Sequence, residues 1–209
     1  MSNQLLGRIA ACASRAGAAL TPAQSSAIAR YIELLDRWNR TINLTAIPLA
    51  GFPDDSLDRL VGEPLVAASF TALSGRWIDL GSGGGSPAIP LKVLRPQLHL
   101  TMVESRERKG AFLREVVRDL GLTGAEVLTT RFEALKEEMP VRSADLVTVR
   151  GVRIDGELVD LLQRALRPEG EVFLFASERA AVQDLAGFSL VGETGLPSRD
   201  ATLIRLRSH

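Results

Sequence analysis

The sequence predicts an α/β fold: a Rossmann-like, mostly parallel β-sheet that ends in an antiparallel hairpin and follows a helical extension. From Arg76 onward, short apolar runs alternate with helical segments, which favours parallel strands covered by helices. Two closing strands, at 188–193 and 201–206, are too close in sequence for a parallel return. Earlier residues show only helical periodicity. We therefore divide the chain into an N-terminal helical extension, 1–70, and a sheet domain, 71–209.

The N-terminal extension begins with an alanine-rich segment, 1–20, that predicts a first helix. Thr21 and Pro22 mark the start of a second helix as its N-cap and first helical residue, and Gln24 completes a capping box. Apolar residues then recur at helical spacing, which predicts one buried face up to about Asn39: Ile28, Tyr31, Ile32, Leu35 and Trp38. Helix-breaking residues divide the following stretch into loop and short helical pieces: Pro48, Gly51, Pro53 and Pro64.

The sheet domain contains five short apolar runs that predict parallel strands, followed by the hairpin. The expected strands are 76–80, 98–104, 125–129, 145–149 and 171–175, and the clearest helices are 106–120 and 156–166. A turn at 167–170 separates the second of these helices from the fifth strand. Five parallel strands and a terminal hairpin form the layout of S-adenosylmethionine-dependent methyltransferases. A nicotinamide-binding domain would instead continue with another strand-helix-strand unit.

Composition excludes several classes of protein. The 209 residues are 45% hydrophobic and 24% charged, as in an ordinary globular domain, and no apolar run approaches the roughly 18 residues of a membrane span. The N-terminus lacks the layout of a secretory signal, and a lone Cys12 fits a cytoplasmic protein without internal disulfides. His99 and His209 have no companions at ligand spacing, so no metal site is expected. Zero net charge argues against binding polyanions with the whole surface.

The most informative stretch is the glycine turn, residues 81–85 (Gly-Ser-Gly-Gly-Gly), directly after the first strand. Gly81 and Gly83 allow the main chain to approach a ligand closely. Glu104 ends the second strand about twenty residues later, where an acid can accept hydrogen bonds from two ribose hydroxyls. The pattern therefore predicts a nucleoside-cofactor site. Asp79, just before the turn, would either approach a ligand ammonium or cap the amides of the turn.

Further site candidates follow the third and fourth strands. Phe132 would pack on the adenine base or fill the core, and Arg150 would bind the cofactor carboxylate, bind a substrate phosphate or form a structural salt bridge. The helix at 106–120 carries five basic residues interleaved with acids, which indicates first a solvated face and second a nucleic-acid face: Arg106, Arg108, Lys109, Arg114 and Arg118.

Several segments together resemble the small-subunit ribosomal RNA guanine-N7 methyltransferases, the RsmG or glucose-inhibited division protein B family. They are LDRWN at 35–39, INLT at 42–45, IDLGSG at 78–83, IPL at 89–91 and FLREV at 112–116. The resemblance implies a cytoplasmic enzyme that uses S-adenosyl-L-methionine to methylate a guanine of ribosomal RNA, and we expect it to be a monomer. It also implies that certain residues contact the cofactor: Gly81, Ser86, Phe132, Glu133 and Arg150. Asn43 matches a position on the substrate side, and Asn39 would belong to the same RNA platform.

The chain departs from the family pattern in the cofactor half, at 85–88 and 149–151, and also outside it. A histidine usual before the first strand is missing from 53–60, and Ala176 and Ser177 replace a Lys-Gly pair. The missing histidine and Lys-Gly pair leave open a cofactor-binding protein that has lost catalysis, and the zero net charge leaves open a methyltransferase of a small molecule. The sequence identifies no catalytic acid or base, which fits a guanine N7 target because N7 is already a bare acceptor.

Overall fold

The computed structural model describes residues 3–131, 134–135, 141–176 and 185–209. These residues contain seven strands, which are β1 Gly75–Leu80, β2 Leu98–Glu104, β3 Ala125–Thr129, β4 Ala144–Arg150, β5 Leu166–Ala176, β6 Phe188–Gly195 and β7 Thr202–Ser208. They form one sheet in the order β3-β2-β1-β4-β5-β7-β6. Neighbours from β3 through β5 pair in parallel, and β7 pairs antiparallel with both β5 and β6. The predicted fold class is confirmed.

The described helices are α1 Asn3–Arg15, α2 Pro22–Asn39, α3 Asp54–Leu57, α4 Glu63–Ala68, α5 Ala88–Leu94, α6 Glu107–Asp119 and α7 Gly156–Ala165. The predicted capping box opens α2: the Thr21 hydroxyl accepts from the amide of Gln24 at 3.2 Å, and the Gln24 side chain accepts from the amide of Thr21 at 2.9 Å. Among the described residues, no helix combines the length and apolar character needed to cross a membrane.

The side chains of the central strands alternate between two hydrophobic clusters, one on each face of the sheet. Trp77 belongs to the cluster that also contains Tyr31 of α2 and Phe112 of α6. Ile78 belongs to the opposite cluster, with Leu158 of α7. The N-terminal helices therefore cover the same face of the sheet as α5 and α6 and share their core. The domain boundary at residue 70 remains a prediction from the sequence.

Two local expectations differ from the structure. Residues 54–68 form one uninterrupted helical run, in which a π-helical turn, Asp58–Gly62, joins α3 to α4 despite Pro64. Proline is tolerated there because the carbonyls that its missing amide could serve, those of Arg59 and Leu60, accept hydrogen bonds from side chains elsewhere in the fold. The expected turn at 167–170 instead lies inside β5, which begins directly after α7. The extra residues are taken up by a register shift against β4 between Ala144 and Leu146.

Candidate functional site

The glycine turn is held against the end of β2 by main-chain hydrogen bonds. The amides of Gly81 and Ser82 both donate to the carbonyl of Val103, at 2.9 and 3.0 Å. Gly81 has a φ of +73°, and a Cβ there would lie 2.7 Å from Cγ2 of Val152. Both the left-handed backbone and the close approach therefore require glycine. The turn presents bare main chain at the carboxyl edge of the sheet.

Glu104 faces the glycine turn, as the sequence predicts. Its Oε2 accepts from the amide of Gly83 at 2.9 Å and its Oε1 accepts from the amide of Arg106 at 2.8 Å. The residue is only 6% exposed, so water does not replace these bonds. A carboxylate has about four acceptor positions, so both oxygens retain capacity for a further donor. Two ribose hydroxyls would be suitable donors.

A cavity of about 560 Å³ opens beside this carboxylate, at the carboxyl edge of the sheet. Its lining includes Gly81, Glu104, Arg106, Arg131 and Val152. The volume lies within the range of about 300–1,000 Å³ that is usual for small-molecule sites. A second cavity, of about 590 Å³, lies at the opposite edge of the strands. Because open parallel sheets bind ligands outside the carboxyl ends of their strands, the first cavity is the candidate site.

Asp79 is a buried carboxyl group directly before the turn, 1% exposed. Its Oδ1 accepts from the hydroxyl of Thr148, which in turn accepts from Nε1 of Trp77 at 2.9 Å. Its Oδ2 is buried and has no hydrogen-bond partner among the described residues. Burial raises the pKa of Asp79 to about 6, although the hydroxyls of Ser82 and Thr148 oppose that shift. A buried acceptor without a donor, beside the glycine turn, suits a cationic or hydrogen-bonding ligand group.

Arg150 lies at the end of β4 in a network of polar contacts. Its Nη1 donates to the hydroxyl oxygen of Ser86 at 2.9 Å and to the carbonyl of Arg59 at 3.1 Å, and its Nη2 pairs with the carboxylate of Glu63. The guanidinium also stacks over the ring of Phe175, 4.5 Å from the centroid. The structure thus gives Arg150 a salt-bridge partner within the chain. The cofactor contacts expected of Arg150 and Ser86 remain predictions.

The two asparagines near the end of α2 occupy different environments. Asn39 is partly buried, and its Oδ1 accepts from the amides of Leu44 at 2.8 Å and Thr45 at 3.0 Å, so it fixes the loop after α2. Asn43 lies in that loop and is exposed. Asn39 therefore shapes the loop, while Asn43 is available to a substrate.

This loop lies against the glycine turn. The carbonyl of Leu44 accepts from Nζ of Lys109 at 3.3 Å and lies 3.5 Å from the position that a Cβ on Gly84 would take. Tyr31 donates its hydroxyl to the carbonyl of Gly84 at 2.7 Å. The loop therefore packs directly against the turn.

Sequence reasoning missed Glu63, Thr148 and Tyr31 as residues that support the site. Thr148 had a weak signal, since it is a polar residue in an otherwise apolar strand. Glu63 carries no such signal in the sequence, because its partner Arg150 lies 87 positions away. Phe132 and Glu133, both expected to contact the cofactor, lie outside the described residues.

The basic residues of α6 include several in ion pairs. Arg114 pairs with Glu107 at 2.8 Å, and Arg118 pairs with Glu115 at 2.8 Å. These pairs agree with the interpretation of α6 as a solvated face. No group of three or more potential metal ligands occurs in the described part of the chain.

Comparison with known proteins shows which family this sequence matches. Residues 24–186 match the family model described as GidB, rRNA small subunit methyltransferase G. Ribosomal RNA small subunit methyltransferase G of Laribacter hongkongensis is 39% identical over 157 residues, which cover 74% of this chain and 72% of that protein. The protein of the same name from Paracoccus denitrificans is 39% identical over 152 residues, covering 72% and 75%.

Solved structures share the fold at low sequence identity. A SAM-dependent methyltransferase from Aquifex aeolicus superimposes with a TM-score of 0.59 and 13% identity over 73% of this chain and 92% of that one. Precorrin-6y C5,15-methyltransferase from Geobacter metallireducens gives a TM-score of 0.53 and 17% identity over 69% and 86%. At these identities the likeness concerns the fold alone.

Proposed function

The chain belongs to the family of rRNA small subunit methyltransferase G, and from that membership we propose that it transfers a methyl group from S-adenosyl-L-methionine to N7 of a guanine in small-subunit ribosomal RNA. The observation that carries the proposal is the pairing of Glu104 with the amide of Gly83 at the rim of the 560 Å³ cavity. The enzyme would act in the cytoplasm as a monomer.

The residues of the cavity fit this cofactor. Glu104 would accept hydrogen bonds from the two ribose hydroxyls, and the bare main chain at Gly81 leaves room for the ligand beside Val152. The buried, unpartnered Oδ2 of Asp79 would attract the ammonium of the amino-acid part, directly or through water. Phe132 and Glu133 would contact the adenine. When bound, the sulfonium of the cofactor supplies the methyl group.

The chain's own contribution to the reaction is positioning. N7 of neutral guanine carries a lone pair and no proton, so no side chain has to act as a general base before attack. Displacement at a sulfonium needs close and aligned approach, and holding both reactants in place accounts for much of such an acceleration. This agrees with the described carboxylates of the site: Glu104 accepts hydrogen bonds from main-chain amides, and Asp79 is buried, so neither is placed to remove a proton from the guanine.

The substrate would approach over the loop that follows α2. Asn43 is exposed there, and the neighbouring Leu44 contacts the glycine turn, so an RNA base at the cavity would lie within reach of this loop. The target guanine has to leave its stack to enter a cavity of this kind. Asn39 would support the platform indirectly through its hydrogen bonds to the loop.

Two measurements test the proposal. Calorimetric titration with S-adenosyl-L-methionine and with its demethylated product should show binding of both. Ribosomal RNA from cells that lack the gene should have lost one 7-methylguanosine from the small subunit by nucleoside mass spectrometry, and the native gene should restore it. Binding of a nicotinamide cofactor without binding of S-adenosyl-L-methionine would refute the assignment.

A further inference from the structure

The helical run 54–68 contains an unusual arrangement of main-chain acceptors. In its π-helical turn the amide of Glu63 donates to the carbonyl of Asp58, five residues back. With the same spacing, the carbonyl of Arg59 would pair with the amide of residue 64, and with α-helical spacing the carbonyl of Leu60 would do so. Residue 64 is proline, which has no amide hydrogen to donate. One amide could serve only one of these carbonyls, so the change from π-helical to α-helical spacing leaves one of them available and Pro64 leaves the other available as well.

These same two carbonyls bind the end of the glycine turn and the end of β4. Ser86, which follows the turn, donates its hydroxyl to the carbonyl of Leu60 at 2.9 Å. Arg150 donates to the carbonyl of Arg59 at 3.1 Å and to the hydroxyl oxygen of Ser86 at 2.9 Å. The helical run thus presents two acceptors near Pro64, and their donors lie next to the candidate cofactor site: Ser86 follows the glycine turn, and Arg150 precedes Gly151 of the cavity lining.

Glu63 supplies the negative charge that compensates the guanidinium of Arg150. It is 1% exposed, and its carboxylate pairs with Arg150. It also lies 3.5 Å from Arg59, whose side chain is more exposed, so Arg150 is the more buried of its two partners. A buried guanidinium keeps its position only while an anion compensates its charge. Without Glu63, the buried charge of Arg150 would have no compensating anion, and its guanidinium would move away from Ser86.

We propose that Glu63 is a positioning residue for cofactor binding, which acts through Arg150 and Ser86 to hold the glycine turn in the shape that binds the cofactor. This inference rests on the function proposed above. It assigns the helical run 54–68 a role in cofactor binding, although the described lining of the cavity includes no residue from that run.

The first test replaces Glu63 with glutamine, which keeps the size and an acceptor oxygen but removes the charge. In methylation assays on small ribosomal subunits, Glu63→Gln should raise the KM for S-adenosyl-L-methionine by about tenfold, since hydrogen bonds to ionised groups are roughly twice as strong as neutral ones. The kcat at saturating cofactor should stay within about twofold. Glu63→Asp should recover part of the lost affinity.

The matched control lies in the π-helical turn that directly precedes Glu63. Asp58 is also buried and ionically paired, with Arg15 at 2.7 Å, but its partner is on α1 and not at the glycine turn. Asp58→Asn should leave the KM for the cofactor within twofold of the native value, even where it lowers the unfolding temperature. An equal rise in KM for both variants would show general loosening and overturn the inference.

A second variant perturbs the hydrogen bonds that Ser86 and Arg150 make to the helical run, without removing a buried charge. Pro64→Ala supplies an amide that competes with Ser86 or Arg150 for their acceptor carbonyls. The KM for the cofactor should rise severalfold while the unfolding temperature stays equal or increases, because alanine is the better helix former. This result would support the inference even if Glu63→Gln fails to fold.

The outcomes separate the inference from the function on which it rests. Failure of the native protein to bind S-adenosyl-L-methionine or to methylate subunits removes both. A native protein that does both, together with folded Glu63→Gln and Pro64→Ala variants whose cofactor KM is unchanged, overturns the positioning role alone. A fall in kcat with unchanged KM would also overturn it.

Discussion

The Glu104→Gln variant probes the carboxylate on which the cofactor assignment depends. The native carboxylate accepts from the amides of Gly83 at 2.9 Å and Arg106 at 2.8 Å, and we propose that it also accepts from two ribose hydroxyls. Glutamine has nearly the same shape, and its carbonyl oxygen can keep the bond to Gly83. Its amino group cannot accept a hydrogen bond, and the negative charge is lost.

The expected loss follows from the strength of the two ribose bonds. A hydrogen bond to a charged group contributes about 1.5–3 kcal/mol, whereas a neutral one contributes about 0.5–1.5 kcal/mol. A loss of about 1 kcal/mol for each of two bonds gives about 2 kcal/mol, which corresponds to an increase of roughly 30-fold in Kd. The bond to Arg106 is also lost, so a small fall in the unfolding temperature should accompany the weaker binding.

Isothermal titration calorimetry with S-adenosyl-L-methionine measures this effect directly. Glu126→Gln is the matched control, because Glu126 lies on the adjacent β3, accepts from the hydroxyl of Thr101 at 2.6 Å and does not line the 560 Å³ cavity. The control should bind like the native protein. A folded Glu104→Gln variant with a Kd within threefold of the native value would refute the reasoning.

Three further predictions concern the surroundings of the site. Gly121→Ala, where φ is +60° and space is open, should lower the free energy of unfolding by about 1 kcal/mol. Gly81→Ala adds a clash with Val152 and should lower the free energy of unfolding, measured by urea denaturation, by about 1–3 kcal/mol more than Gly121→Ala does. Equal losses for the two variants would contradict the close approach of Gly81 to Val152. Asn39→Ala should cost about 1–2 kcal/mol because two loop amides lose their acceptor. Asn43→Ala should leave stability within about 0.5 kcal/mol of native and raise the KM for RNA; the reverse order of stabilities would contradict their assignments. Burial raises the pKa of Asp79 to about 6, so its contribution to stability is complete below about pH 4 and lost as pH rises through 6. Against Asp79→Asn, native stability should therefore fall by about 3 kcal/mol between pH 4 and pH 7, and a constant difference would contradict the buried carboxyl.

The parts of the site that the sequence predicts are those specified by local pattern. The glycine turn and Glu104 are recognisable in the sequence because each follows or ends a short apolar run, and the spacing between them can be counted along the chain. Parallel pairing of β1 with β2 then brings the two together. The terminal hairpin was predictable for the same reason, since a short connection leaves only an antiparallel return.

The contacts that escaped prediction depend on distant residues meeting. Glu63 and Arg150 are 87 positions apart, and neither position carries a local sign of the other. In the sequence Pro64 predicts a break in the helical structure, because its missing amide is visible there but the donors that replace it are not. The hydrogen bonds from Leu44 and Thr45 to Oδ1 of Asn39 also escaped prediction, while the RNA contact expected of Asn39 remains a prediction.

The most direct test of the central claim is the fate of the methyl group. Small ribosomal subunits from cells that lack the gene would be incubated with the protein and isotope-labelled S-adenosyl-L-methionine, and the RNA digested for nucleoside mass spectrometry. The account predicts label in 7-methylguanosine, close to one per subunit. Label in any other nucleoside, or none while the protein binds the cofactor, would contradict it.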